Sequence, residues 1–415
     1  MLFRSPMRTG GIPGFVYGSV RNVARTAGTG VDLALTHLAP RLIGDALASV
    51  ARAQRGGREA ALAALNGVVG DHLDATGNPL AIDMRLRQHG DDVMPETEGL
   101  ALRSGAGANG KLMILAHGLC MNDLQWQRDG HDHGAELANA LAYAPLYLHY
   151  NSGRRISVNG RAFARLMQEL YERWPTPIDE IAIVGHSMGG LITRSACEFA
   201  RQAEHPWLER LKRIVFLGTP HHGAPLERAG NRVDRLLRAS PYTAPFARLG
   251  QMRSAGVQDL RYSNLRDEDW LGRSDTHADD PRTPVALPDG VKCYAIAATT
   301  QRETTLKKKD DAKDDTKLGS KLGSKLGSKR TSLARARLRG DGLVAVNSAL
   351  GIHEHPEFSL PIPHAQQAVV YGVDHFDLLA SREVYDHLHA WLGEPNAPRS
   401  AAKTRKREKD KDSSR

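Results

Sequence analysis

Between residues 110 and 220 the chain alternates short apolar runs with longer segments whose apolar positions recur every three or four residues. Lys111–Ala116, Pro145–Tyr150, Ile181–Val184 and Arg213–Gly218 are four to six residues long, short and continuous enough to read as strands buried on both faces. Helical patterns separate them: Gly134–Leu141, then Asn159–Trp174, whose stripe of Phe163, Leu166, Met167 and Leu170 stops before Pro175, then 188–203. Alternation with these spacings predicts an α/β fold, a doubly wound and mostly parallel sheet joined by right-handed crossovers. After Gly218 the rhythm breaks. Residues 224–275 read as helices without an intervening strand, a lid-like insertion at the carboxyl ends of the strands. Lys292–Ala297 and Ala368–Tyr371 restore the sheet, and Ser381–Leu392 is the last helix.

The flanks follow other patterns. Residues 1–70 carry helical periodicity near 31–38, 42–50 and 58–70, the last ending near Gly67 or Gly70, and an extended stretch begins at Asn78. The expected organisation is an N-terminal helical extension over 1–100 and a main domain over 101–393, with the lid-like insertion at 224–275. Lys-Leu-Gly-Ser repeats in tandem from 317, 321 and 325, so 302–335 cannot build a core and is expected to be a disordered basic loop. Residues 394–415 read as a disordered basic tail.

Charge changes the picture once it is located. The chain carries +9, yet 302–339 holds 13 Lys/Arg against 5 Asp/Glu and 394–415 holds 8 against 4, which leaves the remainder at −3. A mildly acidic body argues against a nucleic-acid groove. The basic segments and N-terminal helices could instead draw the protein to an anionic membrane, so peripheral membrane contact is the second expectation for partners. No apolar run approaches the roughly 20 residues of a spanning helix, and no secretory leader is evident. Cys120, Cys197 and Cys293 show neither pairing nor metal spacing. The expectation is a cytoplasmic protein, membrane-associated at most, with no metal and no cofactor.

The chemistry centres on Ile181–Gly190, which reads I-A-I-V-G-H-S-M-G-G. A strand, then Gly185-His186-Ser187-Met188-Gly189, then a helix is the context that turns G-x-S-x-G into a nucleophile elbow. Cβ atoms at Gly185 and Gly189 would collide with backbone, and the turn holds Ser187 above the sheet at a helix N-terminus. A serine nucleophile needs a base, and the base an orienting carboxylate, in the order Ser, acid, His in this kind of site. His375 follows the last strand. Asp341 lies in Gly340-Asp341-Gly342 between the two preceding strands, where an Asp-Gly turn would also form without chemistry. Asp275 is a weaker alternative acid, and Asp374 and Asp377 adjoin the histidine too closely in sequence to align with its Nδ1. Oxyanion donors are expected at Met188 N–H and, in the loop after the 111–116 strand where Gly118 lets backbone approach, at Leu119 N–H. His117 is read as ordering that loop, and His221 and His222 as structural.

Ala116-His117-Gly118-Leu119, Gly185-His186-Ser187-Met188-Gly189-Gly190, Gly218-Thr219-Pro220-His221-His222-Gly223, Gly340–Val344 and Asp374–Asp377 together resemble the bacterial lipase/esterase branch of the α/β-hydrolase superfamily. Within it the chain is similar to the group related to GPI inositol-deacylase (PGAP1-like), over about 110–392. The resemblance implies an α/β-hydrolase fold and hydrolysis of carboxylic esters of lipids or other apolar acyl substrates through an acyl-serine, without a cofactor. It assigns Ser187 as nucleophile, Asp341 as acid, His375 as base, and Leu119 with Met188 as oxyanion donors. Acyl transfer and thioester cleavage use the same machinery, and a non-catalytic lipid-surface binder on this fold is the alternative from another class. The long basic insertion directly before Asp341 departs from the family pattern, and the calcium-holding aspartates of some secreted lipases have no counterpart here.

Overall fold

The computed structural model describes residues 45–93, 110–223, 254–271, 282–303 and 340–395, with side chains from Gly56 onward. The chain divides into two units, 1–58 and 59–415; the second carries the sheet. Its elements in order are the helix α1 (Asp45–Ala75, which begins in the first unit), β1 (Arg85–Gln88), β2 (Asp91–Asp92), β3 (Lys111–Ala116), α2 (His133–Leu141), β4 (Ala144–His149), α3 (Ile156–Arg173), β5 (Glu180–His186), α4 (Met188–Gln202), β6 (Leu211–Leu217), α5 (Ala255–Tyr262), β7 (Lys292–Thr299), α6 (Val346–Ala349), β8 (Gln367–Tyr371) and α7 (Arg382–Gly393).

Eight strands form one sheet in the order β2-β1-β4-β3-β5-β6-β7-β8. From β4 to β8 every pairing is parallel, while β1 runs antiparallel to both β2 and β4. The α/β expectation therefore holds: a mostly parallel sheet with helices on its faces. β5 sits at its centre, in register with β3 from Lys111↔Glu180 to Ala116↔Gly185. All seven β5 residues are buried, which is why the strand reads as a continuous apolar run rather than an alternation. Ala182 and Val184 join a core with Met113, Leu115, Val215 and the Leu388 and Trp391 side chains of α7. Each fully buried Val, Leu or Met among them contributes about 1.5–3 kcal/mol.

Two features differ from the sequence-based expectation. The pattern at 42–50, from Asp45 onward, and that at 58–70 belong to one helical element, α1, which breaks at Val69 with φ −135°, ψ 18°. The glycines that read as an end at 67 and 70 are instead close approaches. A Cβ at Gly67 would stand 2.2 Å from Cys120 Sγ, and one at Gly70 1.9 Å from Asn151 Oδ1. The sheet also starts earlier than 101, because β1 and β2 fall within the stretch expected to be a helical extension. Arg85-Leu86-Arg87-Gln88 has a single buried apolar residue, too little periodicity to announce a strand.

Of the lid-like insertion, 254–271 is described and is helical, with α5 and a 3-10 turn at Asp267–Asp269. The rest of that insertion, the Lys-Leu-Gly-Ser segment, the helical pattern at 31–38 and the tail from 396 lie outside the described residues. Glu394, expected to open the free tail, is tied down: its carboxylate takes hydrogen bonds from Lys292 Nζ at 2.8 Å and Tyr294 OH at 3.1 Å, and its carbonyl from Arg213. Among the described residues no helix is long and apolar enough to cross a membrane.

Candidate active site

Ser187 stands between β5 and α4 at φ 54°, ψ −122°, a conformation that costs a non-glycine residue on the order of 1–3 kcal/mol. The surroundings impose it. Ser187 N–H donates to Leu217 O at 2.8 Å, continuing the β5–β6 ladder, and Gly190 N–H donates to Ser187 O at 3.1 Å. The turn tolerates no side chain on its flanks: a Cβ at Gly189 would lie 2.1 Å from Ala116 O, and one at Gly185 2.6 Å from Gly190 Cα. Both are backbone atoms that cannot step aside.

Asp341 and His375 meet at the carboxyl end of the sheet. His375 Nδ1 lies 2.7 Å from Asp341 Oδ2, and both residues are buried. Asp341 Oδ1 accepts from Leu343 N–H at 2.9 Å and Val344 N–H at 2.8 Å. The Asp-Gly turn and the contact to histidine are thus one arrangement rather than alternatives: one oxygen closes the turn, the other faces the ring. A carboxylate can only accept, so Nδ1 carries the proton, and in a neutral ring the lone pair falls on Nε2.

His186 ties this pair to the elbow. Its Nε2 is 3.0 Å from His375 O and its ring centroid 4.8 Å from that of His375. A carbonyl requires a donor, so Nε2 holds the proton. Burial, reinforced by the charge of His375, pushes the His186 pKa well below its ordinary value, and the ring stays neutral. Asp374 and Asp377 fold the histidine loop. Asp374 Oδ1 accepts from Phe376 N–H at 2.8 Å and Asp377 N–H at 2.9 Å, while Asp377 Oδ2 accepts from Asp374 N–H at 3.1 Å. Both accept from backbone N–H groups, and Asp377 Oδ1 also lies 3.6 Å from Arg128 Nη2. Asp275 lies outside the described residues.

The loop after β3 reaches Ser187 from the other side. A Cβ on Gly118 would stand 3.1 Å from Ser187 Cβ and 3.2 Å from His186 Nδ1. Cys120 takes φ 60°, and its N–H donates to Ser152 Oγ at 3.0 Å. Leu119 N–H makes no hydrogen bond among the described residues, and Met188 N–H, first in α4, has no acceptor within its helix. His117 is locked below. Its ring stacks on Tyr150 at 4.2 Å, its Nδ1 lies 2.9 Å from Gly118 O, and Tyr150 OH donates to His117 O at 2.6 Å. Burial pushes its pKa down to about 3, which leaves a neutral ring that orders the loop.

Sequence reasoning did not reach the layer behind this loop. His149 Nδ1 lies 2.8 Å from Asp123 Oδ1, and Arg87 Nη1 lies 3.3 Å from the same oxygen. Burial works to raise the Asp123 pKa, but the His149 hydrogen bond and the nearby positive charges hold it below the ordinary carboxylate value. These partners come from β1, β4 and a 3-10 turn, and no local pattern links them. His133, on α2, supports the histidine loop through Nε2, 2.9 Å from Leu378 O. His221 and His222, expected to be structural, bond into the loop after β6: His221 N–H donates to Thr219 O at 2.9 Å and His222 N–H to Ser348 Oγ at 3.1 Å. Among the described residues no His, Cys, Asp and Glu cluster could hold a metal.

Residues 108–261 match the family model of the PGAP1-like alpha/beta domain. Among solved structures, the mature Bacillus licheniformis lipase BlEst2 aligns at 17% identity and a TM-score of 0.39, covering 69% of this chain and 93% of that one. A Pyrobaculum calidifontis esterase aligns at 14% identity and a TM-score of 0.35, covering 68% and 76%. No curated protein matches the chain. The strand, turn and helix that hold Ser187 thus lie within the stretch that is similar to the PGAP1-like alpha/beta domain, on a mostly parallel sheet.

Proposed function

We propose that the protein is a serine hydrolase that cleaves carboxylic esters of lipid or other apolar acyl substrates through an acyl-serine. The observation that carries this reading is the 2.7 Å contact between His375 Nδ1 and Asp341 Oδ2, braced through His186 against a strained Ser187. In the proposed cycle His375 Nε2 takes the Ser187 proton as Oγ attacks the ester carbonyl. Asp341 keeps Nδ1 protonated and stabilises the imidazolium, while Leu119 and Met188 N–H groups receive the oxyanion. The imidazolium gives its proton to the departing alcohol. Water, activated by the same nitrogen, then releases the acid and frees Ser187.

Thioester cleavage and acyl transfer would run on the same groups and differ only in leaving group or acceptor. The cycle needs no metal or cofactor. Peripheral attachment to anionic membrane through the basic segments at 302–339 and 394–415 is a separate part of the proposal and does not enter the chemistry.

The test is Ser187→Ala with p-nitrophenyl butyrate. Loss of the nucleophile is expected to lower kcat by on the order of 10^4–10^6-fold with an unchanged thermal midpoint. Turnover at the wild-type rate would remove the assignment.

A further inference from the structure

Arg194, on α4 and seven residues past Ser187, is 5% exposed, which is unusual for a guanidinium without a counter-ion. Among the described residues it pairs with no carboxylate. Its Nη2 donates to Val285 O at 2.7 Å, its Nη1 approaches His221 Nδ1 at 3.4 Å, and its Nε has no partner. Burial, then the neighbouring charge of Arg282, pushes its pKa down to about 10. It therefore remains a cation at neutral pH, held in a place that should reject one.

That place is the wall of a cavity of about 260 Å³, whose lining includes Arg194, His221, His222, Arg282, Glu357 and Phe358. Three of these residues have a buried nitrogen without a hydrogen-bond partner: Arg194 Nε, His221 Nε2 and His222 Nε2. Where Arg194 donates to His221 Nδ1, the proton of that imidazole sits on Nε2, so His221 and Arg194 both present unused donors. Arg282 adds a second guanidinium, which lies over the Phe358 ring at 5.5 Å and donates to His221 O at 3.5 Å. Among the described lining residues the one acid, Glu357, is exposed. Buried donors on Arg194, His221 and His222, with Glu357 the one acid among the described lining residues, are complementary to an anion with several acceptor oxygens.

We propose that this cavity binds a phosphate group. Helix rise places Arg194 Cα about 10 Å along α4 from Ser187, so the site is separate from the ester-cleaving groups and does not depend on that reading. Phosphate has enough oxygens to take Arg194 Nε, His221 Nε2 and the Arg282 guanidinium at once. It could arrive as a free anion or as a lipid headgroup.

The experiment is calorimetric titration of the full chain with inorganic phosphate at pH 7 and low ionic strength, comparing wild type, Arg194→Met, Arg282→Ser and Ser187→Ala. The expected result is saturable one-site binding to wild type and Ser187→Ala, weakened at least tenfold in both arginine variants. If Arg194→Met does not fold, Arg282→Ser alone decides. Absence of saturable binding overturns the proposal, as does equal affinity in the arginine variants, which would place phosphate on the basic segments. Vesicles of phosphatidic acid that displace bound phosphate, where phosphatidylcholine does not, support the headgroup form. Binding that no vesicle displaces supports the free anion.

Discussion

Replacing Asp341 with Asn changes one atom and asks the site to choose. In the native arrangement Oδ1 accepts from two backbone N–H groups and Oδ2 faces His375 Nδ1. The asparagine amide has one acceptor and one donor end. With its oxygen toward Leu343 and Val344 it keeps two hydrogen bonds and turns its NH2 toward His375. The reverse orientation sets an NH2 against two N–H donors and keeps only the bond to the ring. At about 1 kcal/mol for each bond kept, and about 1–3 kcal/mol for each buried group left unmet, the first orientation wins. His375 Nδ1 must then accept, its proton moves to Nε2, and the nitrogen proposed as the base is occupied. A wrong-tautomer substitution of this kind in a serine protease costs about 10^4 in kcat, or about 5.4 kcal/mol of transition-state stabilisation. The assay is steady-state turnover of p-nitrophenyl butyrate, with thermal unfolding alongside to confirm a folded protein. A folded Asp341→Asn protein within tenfold of wild-type kcat would refute the reasoning and remove Asp341 from the proposed triad.

Stability should fall on mild acidification. His117 and His133 are buried neutral with pKa values pushed down to about 3 and about 4, chiefly by burial. The unfolded chain takes up these protons near pH 6.5 and the folded chain does not, so the contribution is intact above 6.5 and declines as pH falls toward 4. By pH 5 the two together cost about 4 kcal/mol. At an m-value of about 2–3 kcal/mol/M this lowers the urea midpoint by roughly 1–2 M, and a midpoint unchanged between pH 7 and pH 5 would contradict it. Arg213→Met should also destabilise. It removes the buried cation beside Glu180, a carboxylate that Arg213 and Tyr143 OH both contact in the core, at a cost of about 3–5 kcal/mol. Adding Glu180→Gln should recover part of the lost thermal midpoint, and a double variant no better than the single would show that charge pairing is not the cause.

Much of this architecture was legible because it rests on local rules. Strands such as Ile181–Val184 are short, continuous and apolar, since a parallel sheet covered on both faces asks for nothing else. The elbow was legible because steric limits at Gly185 and Gly189 leave few alternatives. What stayed hidden depends on contacts between distant segments. Leu86 alone marks β1 as a strand, because the flanking Arg85 and Arg87 serve ion pairs with Asp92, Glu59 and Asp123. Gly67 and Gly70 read as helix ends, yet they are small because Cys120 and Asn151 press against them. The brace from His186 to the His375 carbonyl joins residues 189 positions apart, and nothing in the sequence near either one announces it. Arg194 likewise looks like an ordinary polar position of α4 until its burial is known.

The central claim is that Ser187 is an activated nucleophile, and reaction with a fluorophosphonate probe addresses it most directly. At neutral pH one probe should attach per chain, intact mass should rise by a single adduct, and peptide mapping should place it on Ser187. Ser187→Ala should not react. A folded wild-type protein that takes no label, or a Ser187→Ala variant that takes as much, would contradict the account.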